Sequence, residues 1–390
     1  MKLIFFLIVL FFSGFYVNAQ NALYVKNLEK YLLKEKSLHK KVFLDSLGLH
    51  FFGNILSEDS LERIAQTYTI YEEIKRLQTI GFAGSFLGKP QTLVGWRIAI
   101  DPGHFAGDWE TAKIEGKFIE MNLADSIKIG FYESALAWAT AHILKEKLEK
   151  KGAKVMLTRS KVSYTAFEKT FEDSYQTYLK GNLTTTKKGM KKRIPLRKGQ
   201  FFRLVFRKRE LEERVRKIND FRPHITLVIH YNVDENNTNW RKPSKENFAM
   251  AFVGGAFEAT DFENKTLHKD FLRLLVSLQL THSLNLSEHI LFYHQKIAKV
   301  PIIEPSNNQG YLQEKAIFTG KQGIYSRNLL LSRAVESPVC YGESLFQDSF
   351  QEIRKLNEKT LKINDFYTSP RVLDIAEAYF RGILSYCQHL

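Results

Sequence analysis

Apolar positions along the chain change their period near residue 92. Before it, Leu23, Val25, Leu28, Leu32 and Leu33 recur at helical spacing, as do Leu61, Ile64, Tyr68, Ile70 and Ile74. Residues 20–91 therefore read as a helical region. Gly81, Gly84, Gly88 and Pro90 interrupt the pattern and mark a linker. Gly88-Lys89 opens like a phosphate-binding loop, but Pro90 stands where Ser or Thr is required. After the linker, short apolar runs alternate with amphipathic stretches. Strands are expected at Trp96–Ile100, Lys154–Thr158, Ile225–Ile229, Phe248–Val253 and Pro338–Tyr341. Helices are expected at Glu133–Lys150, Glu210–Ile218, Phe271–Leu280, Gln351–Leu361 and Arg371–Tyr386. This order predicts an α/β fold, a mostly parallel mixed sheet flanked by helices on both faces, with an N-terminal helical segment.

The first residues address the chain elsewhere. Lys2 precedes an apolar run from Leu3 to Phe12, and Val17-Asn18-Ala19 resembles a small-x-small cleavage site. Residues 1–19 read as a cleavable secretory signal, cut after Ala19, which makes the expected location periplasmic or extracellular. The rival reading is an uncleaved anchor, for which the run is short. Only Cys340 and Cys387 are present, so the chain is no disulfide scaffold; one bridge or two free thiols remain open.

Charge adds a partner class. The net charge is +15, and residues 180–217 carry 15 Lys or Arg against three Glu. A basic exported protein suits an anionic wall or membrane surface. No zinc-finger spacing or nucleic-acid motif accompanies the stretch, so no specific nucleic acid is expected, and a solvated insertion is the competing reading.

Polar residues interrupt the apolar strands at informative places. Ile98-Ala99-Ile100 runs into Asp101-Pro102-Gly103-His104, Leu227-Val228-Ile229 into His230-Tyr231-Asn232, and Val339-Cys340-Tyr341-Gly342 into Glu343. The carboxyl edge of an open α/β sheet is where sites form. Two histidines and a carboxylate make a catalytic zinc set with a position left for water, and a further carboxylate serves as base.

Trp96-Arg-Ile-Ala-Ile-Asp-Pro-Gly-His104 resembles the opening motif of the zinc-dependent N-acetylmuramoyl-L-alanine amidases of cell-wall turnover. In that family a glutamate next opens a helix that runs to a glycine and a strand ending in Thr-Arg. Glu133, Gly152 and Val155-Met-Leu-Thr-Arg159 match. An Arg and an Asn on a helix then precede a His-x-Asn strand end, matched by Arg214, Asn219 and His230-Tyr231-Asn232. A strand that begins with Pro leads to the catalytic Glu, matched by Pro338-Val-Cys-Tyr-Gly-Glu343. The resemblance covers about 94–356. It implies an amidase domain at 92–390, with insertions near 105–132, 160–210 and 233–325.

The resemblance implies Zn2+ held by His104, Glu133 and His230, with Glu343 as general base and peptidoglycan as partner and substrate. Glu120 is the alternative ligand. It lies 16 residues after His104, near the family's habit, whereas Glu133 keeps the family's distance to Gly152, 19 residues on. Arg214 and Arg327 are expected to be fold-holding surface pairs rather than substrate contacts. Asn219 and Asn232 are expected to tie loops. The chain departs from the family at Phe105, Val228, Ser344 and Leu345. Two other function classes stay open: another zinc hydrolase of wall peptides, and a wall-binding module without catalysis.

Overall fold

A computed structural model of the protein describes residues 21–88, 92–105, 108–123, 126–183, 195–237, 242–307 and 309–389. The expected secretory signal lies outside the described residues. The centre is a seven-stranded sheet. Its strands in chain order are β1 (Arg97–Pro102), β2 (Lys154–Leu157), β3 (Ile225–Asn232), β4 (Met250–Gly254), β5 (Ala316–Phe318), β6 (Ile324–Arg327) and β7 (Val339–Phe346). Their spatial order is β5-β6-β4-β7-β3-β1-β2. The β2, β1, β3 and β7 neighbours are parallel, as are β4 and β6, while β7 meets β4 antiparallel. The sheet is therefore mixed and mostly parallel.

Both faces are covered, which is why the central strands read as nearly unbroken apolar runs. Ile98, Ile100, Leu227 and Ile229 pack with Leu136, Leu144, Ile290 and Ile383 of the Glu133–Glu149, Gln279–Tyr293 and Arg371–Gln388 helices. The alternate positions Ala99, Val228 and Val339 meet Ile218, Leu331 and Val335 on the other face. Val228 is thus a core side chain.

The N-terminal region is not helical throughout. Val42–Asp45, Gly48–Phe51 and Asn54–Leu56 form an antiparallel meander. Gly48 makes its first turn possible: φ is 122°, and a Cβ there would lie 2.2 Å from the carbonyl oxygen of Leu56. The expected break at Gly81 and Gly84 is also absent, since a helix runs from Ile70 to Phe86. Each glycine costs a helix about 1 kcal/mol, and packing against the C-terminal helix offsets it; Gln78 Nε2 donates to the Tyr386 carbonyl at 2.9 Å. Tyr24, Leu28, Leu32 and Ile74 belong to the same hydrophobic cluster as the sheet.

Two further expectations are revised. The 271–280 helix is two helices, Lys265–Val276 and Gln279–Tyr293, parted where Ser277 leaves helical geometry. The 351–361 helix shrinks to Ile353–Asn357, followed by a hairpin of Leu361–Ile363 and Phe366–Thr368.

Candidate metal centre

Strands β1, β3 and β7 point the same way, so their carboxyl ends meet on one edge. After Pro102 the chain turns through Gly103, whose N–H donates to the Ile229 carbonyl at 2.8 Å. A Cβ at Gly103 would lie 2.5 Å from Cε1 of His230, so no larger residue fits between these strand ends. His104 takes φ of 62°, a left-handed conformation that costs a non-glycine residue about 1–3 kcal/mol and persists only where its surroundings impose it.

Two buried arginines impose it. Arg214 donates to the Pro102 carbonyl at 2.9 Å and to the His104 carbonyl. Arg159 donates to the Pro102 and Gly103 carbonyls at 3.2 and 3.1 Å. Arg214 also pairs with Asp101 at 3.1 Å and with Glu210 at 2.8 Å, and Asp101 accepts from the Thr158 hydroxyl. The expectation that Arg214 makes surface pairs is corrected: it is 1% exposed, because the backbone carbonyls it holds lie inside.

Glu133 opens the Glu133–Glu149 helix and is 1% exposed. Its Oε1 accepts from the Tyr231 N–H at 2.9 Å, and its Oε2 from Gln347 Nε2 at 3.1 Å. Oε1 lies 2.8 Å from His104 Nε2 and 3.1 Å from His230 Nδ1, and those nitrogens are 3.1 Å apart. One donor atom from each residue thus converges on a single point. Tetrahedral zinc with bonds of about 2.0–2.1 Å separates neighbouring donors by about 3.3 Å. The set fits such an ion after opening by a few tenths of an ångström. Its outer faces are engaged too. His104 Nδ1 meets Glu115 Oε1 at 2.6 Å, and His230 Nε2 meets the Tyr341 hydroxyl at 2.8 Å.

Electrostatics favour a cation here. Burial opposes ionisation of Glu133, but His104 and Lys117 hold its carboxyl well below the usual range. Burial pushes the His104 imidazole down, yet Glu133 and Glu115 outweigh it and raise the value to about 9. His230 is pushed down to about 4 by burial and by His104. Glu343 is the register partner of His230 across β7 and β3, so both side chains leave the same face of the sheet. Burial, then Glu133, push its carboxyl up to about 7.

The other named residues lie around this point. Asn219 ties the approach to β7, donating to the Ala334 carbonyl and accepting from the Glu336 N–H, both at 3.0 Å. Asn232 accepts from the Val233 N–H and donates to the Tyr311 hydroxyl, both at 2.9 Å. The Arg327 guanidinium stacks between the rings of Phe252 and Tyr311, 5.1 Å from each centroid. Glu120 is outside the cluster, on a hairpin, 3.4 Å from Lys113. A cleft of about 300 Å³ opens over the histidines, lined also by Phe105, Lys117, Arg207, Asn328 and Tyr341.

The sequence model that matches residues 98–367 is that of N-acetylmuramoyl-L-alanine amidase. The chain belongs to the N-acetylmuramoyl-L-alanine amidase family. Solved amidases are similar at low identity. The CwlD amidase of Clostridioides difficile, in complex with the GerS lipoprotein, is 17% identical with a TM-score of 0.41, over 75% of this chain and 98% of that one. Ami1 of Mycobacterium abscessus, in its apo form, is 14% identical with a TM-score of 0.40, over 75% and 99%. AmiC2 of Nostoc punctiforme is 14% identical with a TM-score of 0.39, over 75% and 98%. No curated protein matches the sequence.

In this amidase an aromatic cluster flanks the centre. Phe105 is buried among Phe171, Phe201, Phe202 and Phe206, with the Arg214 guanidinium 5.3 Å from its ring. Sequence reasoning passed over Tyr341, Gln347 and the pairing of Glu115. Tyr341 had a signal, since it shares a strand face with Glu343; Gln347 had none. In the basic stretch, Lys198 pairs with Glu110 and Glu172, Lys217 with Glu168, and Arg216 with Glu213 and Asp220, while residues 184–194 lie outside the described residues.

Proposed function

We propose that the chain is a zinc-dependent hydrolase that cleaves the amide between the lactyl group of N-acetylmuramic acid and L-alanine in peptidoglycan. His104, Glu133 and His230 hold the metal, and Glu343 is the general base. The observation that carries this reading is the convergence of His104 Nε2, His230 Nδ1 and Glu133 Oε1, with the Glu343 strand position paired to His230. Zinc bound there supplies a Lewis acid for the scissile carbonyl and lowers the pKa of water.

The protein's own residues do the rest. Tyr231 N–H and Gln347 fix both Glu133 oxygens, and Glu115 and Tyr341 fix the rings of His104 and His230. Glu343 takes a proton from the attacking water and passes it to the nitrogen of the leaving L-alanine. In the metal-free chain burial and Glu133 raise the Glu343 carboxyl, and a cation held by Glu133 offsets that charge, which favours the ionised form a base requires. The cleft over His104 and His230 seats the stem peptide. An N-terminal leader delivers the chain to the wall, and the 180–217 stretch adds salt-sensitive affinity for anionic wall or membrane surface.

The test is digestion of purified peptidoglycan with and without chelator, read by mass spectrometry. Free lactyl carboxylates and new L-alanine amino termini, lost with chelator and restored by zinc, are expected. Cleavage within the stem peptide, or cleavage indifferent to chelator, would overturn the assignment. Changing His104 or His230 to Ala is expected to remove bound metal and activity together.

A further inference from the structure

The segment between His104 and Glu133 starts on one proposed ligand and ends on another. It holds the Trp109–Glu115 helix and a hairpin of Phe118–Asn122 with Lys128–Tyr132. The Asp108 carboxylate caps that helix through the Thr111 N–H at 2.7 Å, and Gly116, at φ of 76°, ends it immediately after Glu115. Lys117 leads into the hairpin, and the hairpin returns the chain so that the Glu133 N–H donates to the Lys117 carbonyl at 3.3 Å. Glu115 and Lys117 thereby face the two ligands that bound the segment.

Their charges are opposite, and so are their effects on a cation. Glu115 puts Oε1 2.6 Å from His104 Nδ1 and Oε2 3.3 Å from the Phe105 N–H, with its side chain 8% exposed. With the centre loaded, a carboxylate on the outer nitrogen holds the ring in place and keeps the remaining proton on Nδ1, which makes Nε2 a better donor. The Lys117 ammonium lies 4.0 Å from Glu133 Oε2. It balances the Glu133 charge in the metal-free protein and repels a dication held by the same carboxylate.

The geometry points to this inserted segment as the element that sets metal affinity, with Glu115 a positioning residue for His104 and Lys117 an opposing charge at Glu133. This rests on the proposed zinc site. A segment that merely held the loop together would give both residues the same sign, because loss of either would loosen the ligands.

The experiment measures zinc dissociation constants for the parent, Glu115→Gln, Glu115→Ala and Lys117→Gln by competition with a chromophoric chelator at one pH above 9, where proton competition at His104 no longer differs between the variants. Circular dichroism of each metal-free protein reports the fold, and Glu115→Gln, close in shape, covers the event that Glu115→Ala does not fold. Glu115→Ala is expected to bind about 10- to 100-fold more weakly, with Glu115→Gln between it and the parent. Lys117→Gln is expected to bind at least as tightly as the parent. Parental affinity in both Glu115 variants, or weakening in Lys117→Gln as well, overturns the inference while leaving the zinc site standing. A parent chain without zinc affinity removes the site and the inference together.

Discussion

At the scale of single residues, the centre is a set of buried groups whose protonation depends on one another. Replacing Glu343 by Gln keeps the shape of the side chain but removes its capacity to accept a proton at neutral pH. Turnover is expected to fall at least about 10²-fold, with zinc content by elemental analysis unchanged; near-parental turnover would place the base elsewhere. The metal-free protein carries a pH signature. His104, raised in the fold to about 9 from an ordinary 6.5, contributes stability that is complete below 6.5 and lost as pH climbs through 9. Glu343, raised to about 7, acts in the same direction between its ordinary 4.5 and 7. His230, lowered to about 4, acts only below 6.5 and contributes no slope above it. Melting temperatures of the metal-free protein are therefore expected to fall from pH 6.5 to 9. Zinc at the proposed site competes with the proton on His104, so its stabilising increment is expected to grow over the same range. Calorimetry of both forms checks this, and a flat metal-free curve would contradict the charge balance described for His104.

At the scale of elements, the Asp101–His104 turn depends on Arg214. Cutting that side chain back to Met leaves the buried Asp101 and Glu210 carboxylates without their partner. A loss of about 3–5 kcal/mol is expected in denaturant unfolding, together with weaker zinc retention. A change at Arg216, whose partners Glu213 and Asp220 lie at the surface, is expected to do neither. The same turn shows what was legible in the sequence. Strands β1, β3 and β7 could be read because each is an apolar run that stops at a polar residue, and the stops carry His104, His230 and Glu343. The 42–56 meander was not legible, because three- and four-residue strands leave too few positions to show a period of two beside the helical spacing around them. The Trp109–Glu115 helix escaped because its 7 residues make only about two turns, too few to show a helical period. Glu115 could be seen as one of several glutamates in a long segment, but its choice of His104 depends on Gly116 ending the helix there. β5 and β6 were missed inside the 233–325 stretch, since β4 and β6 pair across some 70 residues of intervening helix and loop.

At the scale of the whole molecule, one continuous hydrophobic cluster runs from Tyr24 through the sheet to Cys387. The meander, the sheet and the closing helix are therefore expected to unfold together, with coincident transitions followed by near-ultraviolet circular dichroism and by intrinsic fluorescence; two separated transitions would show that the N-terminal region is an independent unit. The two cysteines lie inside this cluster, in β7 and in the last helix, unbonded and buried. Burial pushes the Cys340 thiol up to about 12 and Cys387 well above its usual range. Neither sulfur meets an aqueous reagent until the chain opens around it. The pair is a clock built into the fold: where a thiol-specific dye captures each sulfur faster than the chain recloses, its rate counts openings of the central strand at one cysteine and of the closing helix at the other, and equal rates are the sign that the two open as one.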